Sequence, residues 1–255
     1  MTPSNTISLN DSMMTLRKQE FESDLFGRRI ALLETTQLDI SPATRTSFDH
    51  FDLVQAKVRS QDSTAIDQLT ASGFRLCEGE IDFELSLGMG SESQPPITAP
   101  GCRIATQNDI LSLSKLAADC FEGRTRFRRP WYSEGEARLM YSTWIAKAVR
   151  SEFDDVCLLI EHEQGEPLAS VTLRRMQQSS DVRVGLLAVR HSSRRQGLGM
   201  SLLGAASAWA LQNGGNRLRV ATQISNLNAM RLYLRAKVKP AGTSYWFYRQ
   251  ESKAL

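Results

Sequence analysis

Apolar residues recur with two different periods along this chain, and the switches between them mark its elements. Short apolar runs around Phe26–Glu34 and Asp52–Val58 predict a strand pair. Ser63–Ser72 reads as a helix closed by Gly73, a favoured helix-ending residue. Phe74–Leu87 alternates as one or two strands. The pattern then lapses from Gly88 to Pro100 and restarts with a short strand at Cys102–Ala105. Thr106 precedes a run in which Ile110, Leu113, Leu116 and Ala117 recur at helical spacing. A second helix is predicted over Glu134–Val149. Strands follow at Val156–Glu161, Leu168–Met176 and Val182–Val189, the first two joined by a turn at Gly165. Leu198–Gln212 is an apolar helix stopped by Asn213-Gly214-Gly215. A strand at Arg217–Thr222, a helix at Asn226–Arg235 and a strand at Ser244–Arg249 close the chain. This alternation predicts an α/β fold with a mixed sheet, and no internal repeat is seen.

The gap in the pattern, GMGSESQPPITAP, is rich in Gly, Ser and Pro and has the composition of a linker. Residues 1–14 read as a disordered start, 15–90 as a smaller N-terminal α/β domain, 91–100 as the linker and 101–255 as the larger domain. A chain of 255 residues has room for both. The net charge of +3 conceals an asymmetry: 8 Lys and Arg against 15 Asp and Glu in residues 1–100, but 23 against 13 in residues 101–255. The second part should therefore attract an anionic ligand. No run is long and apolar enough to span a membrane, and the polar start lacks a secretory core, so a cytoplasmic protein is expected. Cys77, Cys102, Cys120 and Cys157 are scattered without a CxxC pair, and there are three histidines; buried, reduced cysteines and no metal are expected.

The chemistry concentrates between Val182 and Gln212. A buried strand ends in a turn carrying Arg190, Arg194 and Arg195, and Gln196-Gly197-Leu198-Gly199 then opens the apolar helix. The first turn of a helix leaves backbone N–H groups unpaired and carries partial positive charge. Glycines let a phosphate approach the backbone closely, so the segment reads as a pyrophosphate cradle. It matches neither GxxxxGK[ST] nor GxGxxG, so nucleotide loops of those kinds are unsupported. Downstream, Asn226, Ala229, Met230 and Tyr233 are spaced to share one helix face.

These residues together resemble the GCN5-related N-acetyltransferase (GNAT) superfamily. Its acetyl-CoA motif, [QR]xxGx[GA], is matched by Arg194, Gly197 and Gly199, and its Asn–Ala–Tyr helix by Asn226, Ala229 and Tyr233. The likeness covers about residues 101–250. FDLVQAKV, GFRLCEGEIDFEL, RFRRPWY, GLLAV and RVATQISN extend it across both domains, towards acetyltransferases of nucleotide-linked amino sugars such as TDP-4-amino-4,6-dideoxygalactose. Where the superfamily usually has Gly-Phe after the tyrosine helix, this chain has RAKVKPAG.

The resemblance implies acetyl-CoA as co-substrate and no metal. It implies that the donor splays the sheet between Gly185–Val189 and Leu218–Thr222. Leu187, Ala188 and Val189 would line the pantetheine arm; Arg194, Arg195, Gln196, Gly197, Leu198, Gly199 and Met200 the pyrophosphate; and Asn226 the pantetheine amides. Tyr233 would be the general acid for the departing thiolate, since an ordinary phenol is protonated at neutral pH. No general base stands out: His191 belongs to the phosphate loop, Glu78, Glu80 and Glu84 are candidates by charge alone, and a water relay would serve equally. Arginines and aromatics mix from Arg124 to Tyr132; Arg126, Arg128, Trp131 and Tyr132, with Phe26, are the expected contacts to a nucleotide sugar. The expected partner is that small molecule, without nucleic acid or a membrane span, and a homodimer is left open. Two other readings stand: an acetyltransferase for a protein, peptide or small amine, and a non-catalytic nucleotide-binding domain of the same fold.

Overall fold

The computed structural model describes residues 6–8, 14–35, 46–88, 101–121 and 125–250. The strands in chain order are β1 (Thr6–Ser8), β2 (Met14–Lys18), β3 (Ile30–Thr35), β4 (Leu53–Arg59), β5 (Arg75–Ser86), β6 (Cys102–Ile104), β7 (Val156–Glu161), β8 (Pro167–Arg175), β9 (Asp181–Val189), β10 (Arg217–Gln223) and β11 (Lys239–Gln250). The helices are α1 (Glu20–Phe26), α2 (Ser63–Ala71), α3 (Ile110–Cys120), α4 (Glu134–Val149), α5 (Leu198–Gln212) and α6 (Leu227–Arg235). The chain forms two compact units. The first comprises Met1–Glu80, Arg126–Ser133 and Thr243–Leu255; the second comprises Ile81–Thr125 and Glu134–Gly242. The division runs through β5 and β11. The stretch 91–100, read from sequence as that linker, lies outside the described residues.

In the first unit the strands run in the order β1-β2-β3-β4-β11-β5. β3 and β4 are parallel, Ile30 opposite Leu53, while β11 runs antiparallel to β4 from Ser244↔Arg59 to Gln250↔Leu53. Leu16, Leu33, Phe48, Val54, Leu69, Phe74 and Phe247 form its core. Of the opening 14 residues, Thr6–Ser8 pair with β2 as β1 and Met14 begins β2. The strand expected from Phe26 starts at Ile30; Phe26 instead ends α1, where Gly27 takes a left-handed φ of 61°. That helix is invisible to apolar periodicity because the side chains it buries include Glu22 and Ser23.

In the second unit the order is β5-β10-β9-β8-β7-β6. β9 and β10 are parallel, and β6 to β9 pair antiparallel in sequence. Val156, Leu158, Ile160, Val171, Val184, Leu202, Leu203, Ala206 and Val220 belong to one core beneath α5. Cys157 and Leu159 are buried too, outside that cluster, and α4 packs against β7. A strand covered on both faces reads as a continuous apolar run, which is what VCLLIE is. The start of α3 is fixed by a box read from Thr106: its side chain and N–H meet Asp109, preceded by one turn of 3-10 helix at Gln107–Asp109.

Candidate active site

The centre of the site is an irregularity in β9. Val171 pairs with Leu187 and Leu173 with Val184, so β9 carries one residue more than β8 across Gly185–Leu186. Thr172 Oγ1 accepts the hydrogen bond of the displaced Leu186 N–H at 2.9 Å. The same point ends the parallel pairing with β10, whose last registered pair is Val184↔Val220. Beyond it β9 keeps β8 on one side: Arg190 N donates to Leu168 O, and strand alternation turns Ala188 the same way. Leu187 and Val189 therefore direct their backbone groups to the other side, where the β10 pairing has ended.

The turn after β9 is tied down by its own arginines. Arg190 reaches Pro167 O at 2.9 Å and Glu166 at 2.8 Å. Arg194 Nε donates to Val189 O at 3.3 Å, and its guanidinium lies 3.1 Å from His191 Nε2. Cys120 Sγ also donates to Val189 O, so this thiol, half-buried, lines the turn. Arg195 is exposed with φ 65°, and Gly197 has φ 82°, a left-handed pair flanking Gln196. Such a turn aims successive N–H groups to one side. α5 then starts without a side-chain cap. Met200 N is engaged by Gly197 O at 2.9 Å, so Leu198 and Gly199 supply the first-turn donors. A Cβ on Gly199 would lie 2.9 Å from a Leu232 methyl of α6, which glycine alone avoids. An uncapped helix start behind a left-handed turn, beside an exposed arginine, fits a diphosphate.

On α6, Asn226 is the N-cap: its Oδ1 accepts from Ala229 N at 3.2 Å, so its side-chain carbonyl oxygen serves the helix. Tyr233 lies two turns on and is 4% exposed. Its ring sits 5.3 Å from that of Phe83, and burial pushes its phenol above the ordinary range. The carboxylates considered as bases are engaged elsewhere. Glu84 meets Arg217 at 3.3 Å, and Glu78 accepts from Gly79 N. Burial works against ionised Glu80, but Lys57 at 2.5 Å and the Trp246 indole at 3.0 Å outweigh it and hold the carboxyl below its usual range.

The expected acceptor residues fall in the first unit, and Arg124 lies outside the described residues. Arg126 pairs with buried Glu22 at 2.9 Å and reaches Tyr248 and Gln55. Tyr132, 1% exposed, donates to Glu22 at 2.9 Å and accepts from Gln55. The Arg126 guanidinium also lies over the Phe127 and Trp246 rings at 4.2 and 4.4 Å. Trp131 is buried, with Arg128 and Arg75 against its ring. Phe26 is half-buried and Arg128 exposed.

The Acetyltransferase (GNAT) family pattern matches residues 112–237. A dTDP-fucosamine acetyltransferase of Escherichia coli O6:H1 is 34% identical over 229 residues, 90% of this chain and 95% of that protein. The chain belongs to the GNAT acetyltransferase family. Two solved structures share the fold at low identity. A GCN5-related N-acetyltransferase from Kribbella flavida has TM-score 0.61 at 15% identity, covering 97% of this chain and 91% of its own. A tandem GNAT protein from the clavulanic acid pathway has TM-score 0.62 at 12%, covering 95% and 79%.

For this GNAT chain the sequence motifs marked the glycine turn at Arg194–Gly199 and Tyr233, but not the residues behind the bulge. Asp154 and Thr172 back Gly185, and no spacing in FDDV or SVTL announces it. Among the described residues no group of three or more His, Cys, Asp or Glu could hold a metal, and no helix is long and apolar enough to cross a membrane.

Proposed function

We propose that this acetyltransferase is acetyl-CoA-dependent and acetylates the amine of a nucleotide-linked amino sugar, dTDP-4-amino-4,6-dideoxygalactose in the first instance. The observation that carries the acceptor is the 34% identity, across nearly the whole of both chains, to a protein named dTDP-fucosamine acetyltransferase. The donor reading is supported by the left-handed turn at Arg195–Gly197 and the uncapped start of α5.

Residues 195–199 would hold the diphosphate, and Leu187, Val189 and the Asn226 amide the pantetheine arm. When bound, acetyl-CoA supplies an acetyl group activated as a thioester. The chain's own part is to orient that thioester along β9 and to keep a proton on the Tyr233 hydroxyl, which burial holds on the phenol. That proton serves the thiolate when the amine has attacked. The side chains of Arg126 and Tyr132 shape the first unit through Glu22. Arg128 and Phe26 keep surface for a nucleotide ligand.

Incubating the protein with acetyl-CoA and dTDP-4-amino-4,6-dideoxygalactose should release free thiol and yield the N-acetyl sugar by mass spectrometry. No release with this and related nucleotide amino sugars, but release with peptides or small amines, would move the acceptor to another class. Tight binding of nucleotides with no thiol release from any amine would leave a binding domain.

A further inference from the structure

The GNAT motifs assign no role to Asp154, yet it is among the most enclosed charged groups of the second unit. Its side chain is 0% exposed. One oxygen, Oδ2, accepts from Trp144 Nε1 of α4 at 2.8 Å. The other, Oδ1, has no hydrogen-bond partner and lies 3.7 Å from Arg174 Nε. Removing a carboxylate from water is costly unless something compensates, so its location needs a reason.

That location is the bulge. A Cβ built on Gly185 would lie 2.5 Å from Asp154 Oδ2 and 2.7 Å from Thr172 Oγ1. The carboxylate therefore rests against the backbone of the one β9 residue at which the β8 register shifts and the β10 pairing ends. Thr172 holds the next residue by accepting from Leu186 N. Carboxylate and hydroxyl thus flank the extra residue, and the indole of Trp144 fixes the carboxylate. The backbone groups of Leu187 and Val189 take their direction from that bulge.

We propose that Asp154 is a positioning residue for acetyl transfer: packed on Gly185 and tethered to Trp144, it sets the β9 bulge that aims the Leu187 backbone and the Val189 N–H at the acetyl donor. The proposal rests on the acetyl-CoA reading above. It assigns the role to the shape and anchoring of the side chain. Asp154→Asn, which keeps both, should therefore behave differently from Asp154→Ala.

The test uses the full chain in two arms. In the first, calorimetric titration with coenzyme A should give Asp154→Ala a dissociation constant at least tenfold higher than the wild type. Asp154→Asn should stay within threefold, and Trp144→Phe, which removes only the tethering N–H and some ring area, should fall between. Under turnover the Asp154→Ala effect should sit mainly in the KM for acetyl-CoA. In the second arm, without any ligand, the amides of residues 186–189 should exchange with deuterium about tenfold faster in Asp154→Ala and near the wild-type rate in Asp154→Asn. If Asp154→Ala lowers the melting temperature but leaves coenzyme A binding and β9 exchange unchanged, the residue is merely structural and the proposal fails. It also fails if Asp154→Asn is as damaging as Asp154→Ala. Should Asp154→Ala not fold, Asp154→Asn and Trp144→Phe decide: wild-type binding and exchange in Trp144→Phe overturn the tether. A wild-type protein that does not bind coenzyme A overturns the donor reading instead, and the exchange arm then decides on Asp154 alone.

Discussion

Tyr233 and Gly197 show how much one residue can carry. Buried against Phe83, the Tyr233 phenol is held protonated above its ordinary range. Tyr233→Phe should keep the fold and lower kcat by roughly 10²-fold or more, the span of general acid catalysis, as read by thiol release. Because the shift is upward, titration of this phenol should produce no fall in wild-type kcat below about pH 10, the ordinary phenol pKa. At Gly197 the φ of 82° leaves no good alternative to glycine, and a Cβ would meet nothing within 4 Å. The cost of substitution there is backbone strain and, for Asp, charge. Gly197→Asp should weaken coenzyme A binding at least tenfold, about 1.4 kcal/mol, and calorimetric titration would read it directly. An unchanged affinity would place the diphosphate elsewhere.

Among the elements, the entry to α3 is tied by a charged network. Arg103 of β6 grips Asp109 with two hydrogen bonds at 2.8 and 2.9 Å and also holds Glu161. The Arg103 guanidinium, with help from Thr106, keeps the Asp109 carboxyl well below the usual carboxylate range. A lowered pKa in the folded state adds stability that is present above the unfolded value, about 3.9, and is lost as pH falls towards the folded one. Asp109→Ala should cost about 1 kcal/mol, the scale of a lost helix cap, or about 2–4 °C in melting temperature. The gap from the wild type should be full at pH 7 and narrow below about pH 4. A gap that instead widened in acid would contradict the ion-pair account. Thr106 was legible as a helix start because a capping residue just ahead of an apolar run at helical spacing is a local signal; the box with Asp109 came from the structure. α1 was not legible, since it buries Glu22 and Ser23 where a pattern reading looks for apolar residues.

For the whole molecule, the buried cluster of the first unit joins Glu22, Gln55, Arg126, Tyr132 and Tyr248, residues far apart in the chain. Breaking one side of a buried ion pair typically costs about 3–5 kcal/mol, so Arg126→Ala should lower the unfolding free energy by that order in denaturant titration. If stability held and only the acceptor KM rose, Arg126 would be a substrate contact after all. Sequence by itself determined the α/β alternation, the arginine-glycine turn from Arg194 to Gly199 that opens a helix, and the Asn226–Tyr233 helix. Those signals are local: periodicity, caps and glycines act within a few residues. It also suggested the sugar-nucleotide likeness, through segments spread over most of the chain. Only the tertiary structure decided that Arg126 and Tyr132 are turned inward onto Glu22 and that Arg194 clips Val189. The same holds for the position of Asp154 behind Gly185. An arginine or a carboxylate has the same letter whether it faces solvent or a buried partner, and the partner is chosen by packing between strands distant in sequence.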